Sequence, residues 1–117
     1  MGNSVILDKS MTFALRIVKL CKYLNEQKHE YVLSKQLLRC GTSIGANAKE
    51  CAFAQSKADF TAKIFIAQKE CAETEYWIEI LVGSNCISEE TAKILLQECG
   101  VIRRMLVKSI NTAKQSV

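Results

Sequence analysis

The sequence predicts an all-α protein: a single domain over residues 1–117, folded as an antiparallel up-down-up-down four-helix bundle. Three observations predict it. The chain has no proline and only five glycines in 117 residues, which leaves room for long uninterrupted helices. Apolar residues alternate at three- and four-residue spacings in four separate stretches. Short polar connections join those stretches, so consecutive helices become antiparallel neighbours.

The first helix is expected from about Lys9 to Glu26, capped by Asp8 or Ser10. Phe13, Ile17, Leu20 and Leu24 form one stripe; Met11, Ala14, Val18 and Cys21 form a second. Two adjacent stripes describe either one wide core face or a core face plus a strip offered to a neighbour. After a polar connection, Asn25 to Tyr31, the second helix runs from near Ser34 to about Ala54. Its inward stripe is Leu37, Gly41, Ile44, Ala48 and Cys51. Gly41 and Gly45 each cost about 1 kcal/mol relative to alanine inside a helix. Either a partner helix comes unusually close there, or the helix kinks.

Ser56 opens the third helix, with Asp59 three residues on as in a capping box. Phe60, Ile64, Ala67, Cys71, Thr74, Ile78 and Leu81 hold a 4-3-4-3-4-3 spacing, the seam of an antiparallel bundle. Gly83 is the expected stop. Ser88 caps the fourth helix, and Glu89 and Glu90 suit its positive N-terminal end. Its stripe is Ala92, Leu95, Cys99, Ile102, Leu106, Ser109 and Ala113.

Composition excludes several classes. No stretch approaches eighteen uncharged apolar residues, so no membrane span is expected. Met1 to Leu7 lacks the basic start and apolar run of a signal peptide, and a cytoplasmic protein is the simplest expectation. The six cysteines lie eleven to twenty residues apart with no C-x-x-C pair, which argues for buried free thiols over disulfides or metal. Nothing in the sequence implies a cofactor.

Enzyme motifs are missing as well. His29 is the single histidine and sits in a polar connection, so no Ser-His-Asp or Cys-His device is indicated. Glu26 and His29 spell one E-x-x-H, but a di-iron bundle needs two such pairs. There is no phosphate-binding loop, dinucleotide fingerprint or H-E-x-x-H. The protein is expected not to be an enzyme.

Charge is more informative. The net formal charge is only +4, but the basic surplus lies at the two ends of the sequence, which an antiparallel bundle can bring together. Lys9, Arg16, Lys19 and Lys22 share a broad face of the first helix; Arg103, Arg104 and Lys108 lie on the fourth. Clustered cations suffice for contact with an RNA or DNA backbone. On the residues alone an ordinary solvated helix face is the simpler reading. Glu70, Glu73, Tyr76 and Trp77 make a polar-aromatic cluster on the third helix, where Lys69 and Glu73 can pair one turn apart. Acidic neighbours make Trp77 a poor platform for a base and a better core or subunit contact.

The order of motifs carries a resemblance. Leu37-Leu38-Arg39, Thr42-Ser43-Ile44-Gly45-Ala46-Asn47 and Glu50, then Asp59-Phe60, Ile66-Ala67 and Glu73-Thr74-Glu75-Tyr76-Trp77, resemble the four-helix-bundle proteins encoded within bacterial 23S rRNA intervening sequences. Relatives of that bundle serve reverse transcriptases of diversity-generating retroelements as accessory proteins. The resemblance implies a homo-oligomer, a ring-like homopentamer, with basic surface open to RNA or DNA and a reverse transcriptase as a further partner. It also implies packing and polar-network roles for Arg39, Ser43, Asn47, Glu50, Asp59, Glu73 and Trp77. Cys40 and Cys51 stand where alanine or glycine is expected in relatives, a change of volume more than of chemistry.

Overall fold

The four stripes become four long helices in the computed structural model, which describes residues 2–115 and the side chains of 5–113. They are α1 (Gly2–Glu26), α2 (Val32–Glu50), α3 (Lys57–Gly83) and α4 (Glu89–Gln115), with a 3₁₀ turn at Cys51–Phe53 after α2. Met1, where the signal-peptide expectation starts, lies outside the described residues. Each helix packs on its two neighbours around a square. The result is an up-down-up-down bundle of 50 × 21 × 19 Å. No described helix is long and apolar enough to cross a membrane.

The α3 seam holds its predicted register. Ile64, Ala67, Cys71, Thr74, Ile78 and Leu81 are buried, and Phe60 packs against the core from its edge. Thr74 is polar, but its hydroxyl donates to the Glu70 carbonyl at 2.7 Å, so burial leaves no orphan group. In α4, Ala92, Leu95, Cys99, Ile102 and Leu106 are buried, and Ile110 then replaces Ser109 as the inward residue. A straight helix of 3.6 residues per turn drifts against a strict 3.5 repeat, and the register shifts by one position after a few turns.

α1 starts well before the expected Lys9. Ile6 and Ser10 continue its core stripe upstream, and Ser10 is 1% exposed inside the helix. Asp8 and Ser10 therefore do not act as caps; both are mid-helix. The second stripe divides: Cys21 is buried, Ala14 and Val18 are half-buried, and Met11 faces solvent.

α2 runs without a break through both glycines, and close approach is the reason for them. A Cβ on Gly41 would sit 3.0 Å from two side-chain carbons of Ile17, and one on Gly45 would sit 3.1 Å from the Ser10 Cβ. α2 begins at Val32, two residues earlier than expected, because the Glu30 carboxylate accepts from the backbone N–H groups of Leu33 (3.2 Å) and Ser34 (2.8 Å). The Ser34 hydroxyl, itself buried, bonds Asn25 Oδ1 at 2.8 Å and ties the two helix ends together. The final turn of the expected helix, to Ala54, tightens into the 3₁₀ segment.

Ser56 and Ser88 cap α3 and α4 as expected, accepting from the N–H groups of Asp59 (3.0 Å) and Thr91 (3.1 Å). Gly83, in contrast, is simply the last helical residue. The left-handed conformation at that turn belongs to Asn85 (φ 64°), and at the α1–α2 turn to His29 (φ 54°). Both residue types tolerate that region better than most. All six cysteines are free thiols; five are buried and Cys86 is half-buried.

Candidate nucleic-acid interface

The basic residues singled out in the sequence do not form one patch. Arg16 reaches across the α1–α4 seam and pairs through Nε with Glu98 Oε2 at 2.9 Å. Arg103 reaches the other way and pairs with Glu75 on α3 at 3.1 Å. These two arginines are partly spent on holding helices together. The other five candidates, Lys9, Lys19, Lys22, Arg104 and Lys108, are exposed and make no ion pair among the described residues.

Two hollows organise these cations. The α1–α4 seam is the most sparsely packed of the four. At one end it opens into a groove of about 500 Å³, with Arg16, Lys19 and Tyr23 on the α1 side and Ser88, Thr91 and Ile94 on the α4 side. The second hollow lies over Gly100. A Cβ there would meet Arg104 Nη1 at 3.3 Å and Arg103 Nη2 at 3.7 Å, so both guanidinium groups drape over the bare backbone. Lys93 lines the same hollow. Lys9 stands apart in a third recess with Asp8, Thr12 and Glu98, where carboxylates offset its charge.

The residues assigned by resemblance to polar packing fall on one edge, where α2 meets α3. Arg39 pairs with Glu73, and with Glu70 at 3.7 Å. Trp77 donates from its indole N–H to the same Glu73 oxygen at 3.1 Å, while its ring packs on the core. Glu73 is thus committed to Arg39 and Trp77, and the expected partnership with Lys69 is replaced. Ser43 donates to the Arg39 carbonyl at 2.6 Å, and Asn47 donates to the Ser43 carbonyl at 2.9 Å. Glu50 takes Lys63 at 2.7 Å, and Asp59 accepts from the Gln55 N–H at 3.1 Å. Glu70 is the strained member: burial raises its carboxyl above the ordinary range, Arg39 opposes that, and Glu73 adds to it. Gly41 and Gly45 lie on the opposite flank of α2, consumed by contact with α1 and so closed to a second subunit.

The outward surface of α1 is more apolar than a solvated face requires. Met11 and Leu15 are each 61% exposed, and Leu38 of α2 is 38% exposed. The sequence reading named Met11 and missed Leu15, Tyr23 and Lys93. Tyr23 falls one turn after Lys19 and two after Arg16, a spacing that was legible. The α4 wall facing it was not.

With this geometry in place, comparison with known proteins is decisive for kinship. The family model of the 23S rRNA-intervening sequence protein matches residues 3–108. The chain belongs to that family. A crystal structure from Bacteroides thetaiotaomicron, described as a protein with unknown function from the S23 ribosomal protein family, superposes with a TM-score of 0.93. It is 46% identical over 95% of this chain and 99% of that one. No curated protein matches the chain. Family membership therefore brings the fold with it and no assigned activity.

Proposed function

We propose that this protein is a non-enzymatic, cytoplasmic, homo-oligomeric scaffold that binds the backbone of RNA or DNA. The observation that carries the reading is charge segregation. α1 and α4 together carry nine Lys or Arg against five Asp or Glu, whereas α3 carries three against five, with Glu70, Glu73 and Glu75 engaged by Arg39 and Arg103. A surface with that excess of cations, several of them exposed, presents a net positive face to a polyanion. The exposed Met11–Leu15 strip supports assembly of copies through α1, and the resemblance to the intervening-sequence bundles makes a pentamer the expected size. In a retroelement setting the same scaffold would hold a reverse transcriptase.

The test is binding to a structured RNA and to duplex DNA across a salt series. Wild-type affinity is expected to fall steeply with salt, by about 0.9 log unit per log unit of salt for each phosphate neutralised on a duplex. Changing Lys19, Lys22, Arg104 and Lys108 together to Gln should lower that slope and leave the fold intact, since none of the four holds a helix pair. Reversing Arg16 or Arg103 would be a poor probe, because a new carboxylate would face Glu98 or Glu75. Absence of binding at low salt would retire the reading in favour of a protein-only adaptor.

A further inference from the structure

We infer that the α1–α4 groove is a seat for an unpaired nucleotide, so that the protein prefers single-stranded nucleic acid to a duplex. The inference rests on the polyanion-binding reading above and specifies where and in what form the chain would bind. Arg16, Lys19 and Tyr23 occupy successive turns along one side of the groove, two cations followed by an aromatic ring that is 43% exposed. Their spacing along α1 is about 5–6 Å per step. Arg16 lines the groove, and Glu98 holds its Nε at 2.9 Å, which fixes the guanidinium at the groove wall.

The rest of the groove suits a base. Leu20 of α1 and Ile94 of α4 supply apolar lining, and the Thr91 hydroxyl supplies a polar group for a base edge. The volume, about 500 Å³, has room for one nucleobase and its sugar and not for a duplex. Bases in a duplex are stacked on each other and cannot enter; bases of a single strand are free to stack on an aromatic ring beside a cation. An acidic peptide would be recognised by the cations alone and would gain nothing particular from the phenol ring.

The test compares oligo(U) with an RNA duplex of equal length by fluorescence anisotropy at one salt concentration. Wild type should bind the single strand more tightly. Tyr23→Leu, which keeps apolar bulk and removes the ring, should weaken single-strand binding about 5- to 30-fold and leave duplex binding and the salt slope unchanged. Thr91→Trp, which fills the groove from the α4 side, should do the same; helicity and melting of both variants check the fold. Duplex binding without a single-strand preference, or a Tyr23→Leu protein indistinguishable from wild type, would overturn this inference alone. Displacement of an unaffected oligo(U) by an acidic peptide with an apolar anchor would overturn it and assign the groove to a protein partner. Loss of all polyanion binding would overturn the proposed function together with it.

Discussion

Single atoms decide what the glycines of this bundle do. Gly41→Ala would gain about 1 kcal/mol of helix propensity but drive a methyl to 3.0 Å from two carbons of the fully buried Ile17. Overpacking against a β-branched core residue costs about 1–3 kcal/mol, so a net loss of stability is expected in urea melts. Gly83→Ala meets nothing within 4 Å and requires no unusual φ, so it should stabilise by about 0.5 kcal/mol. Cysteines separate in the same way. Burial is the main cause that pushes the Cys21 thiol up to about 11 and raises Cys40 and Cys51; a contact with Cys71, then burial, raises Cys99. A thiol reagent at pH 8 should therefore label Cys86 quickly in the native protein and the other five only after unfolding. The sequence exposed the unusual glycines and the absence of thiol pairs. It could not say which glycine was pressed against a neighbour, because that depends on a residue twenty-four positions away.

Elements are held by caps, seams and one polar edge, and these were unequally legible. Ser56 and Ser88 were readable because a cap is a local exchange between one hydroxyl and an N–H three residues on. The start of α1 was misread because Asp8 and Ser10 look like caps, whereas burial of Ile6 carries the helix past them. The α2–α3 edge makes a pH prediction. Glu70 has a folded pKa above its unfolded value, so the native state binds protons more readily. Its ionised form thus detracts from stability at neutral pH, and that deficit shrinks as pH falls toward the ordinary 4.5. Glu70→Gln should raise stability at pH 7 by up to about 1 kcal/mol. It should also flatten the dependence on pH above 4.5, as measured by melting at several pH values. Unchanged or lower stability at pH 7 would mean that attraction to Arg39 outweighs burial.

For the whole molecule, the question is what the two exposed systems, cationic and apolar, do together. Met11 and Leu15 form an apolar strip on α1. The groove cations of the same helix, Arg16 and Lys19, point toward the α4 seam. Assembly through the strip would leave the groove open and repeat it in every subunit, and linked weak sites bind a long strand far more tightly than one. Met11→Glu with Leu15→Glu should dissociate the oligomer, as read by sedimentation or light scattering, with helicity retained. Affinity for a long RNA should then fall more than affinity for a short one. An oligomer unaffected by these two changes would move the subunit interface elsewhere.

By itself the sequence determined the number of helices, their order, their antiparallel packing, the α3 seam, two caps and the family. Each rests on periodicity or on a contact within one turn, and such information is written along the chain. Tertiary structure alone decided that Gly41 and Gly45 admit α1, that Arg39 rather than Lys69 takes Glu73, and that Arg16 and Arg103 turn to opposite neighbours. It also decided that Tyr23 meets Thr91 and Ile94 across a groove. The physical reason is the same in each case: a helix specifies which residues share a face, but only packing specifies what that face meets.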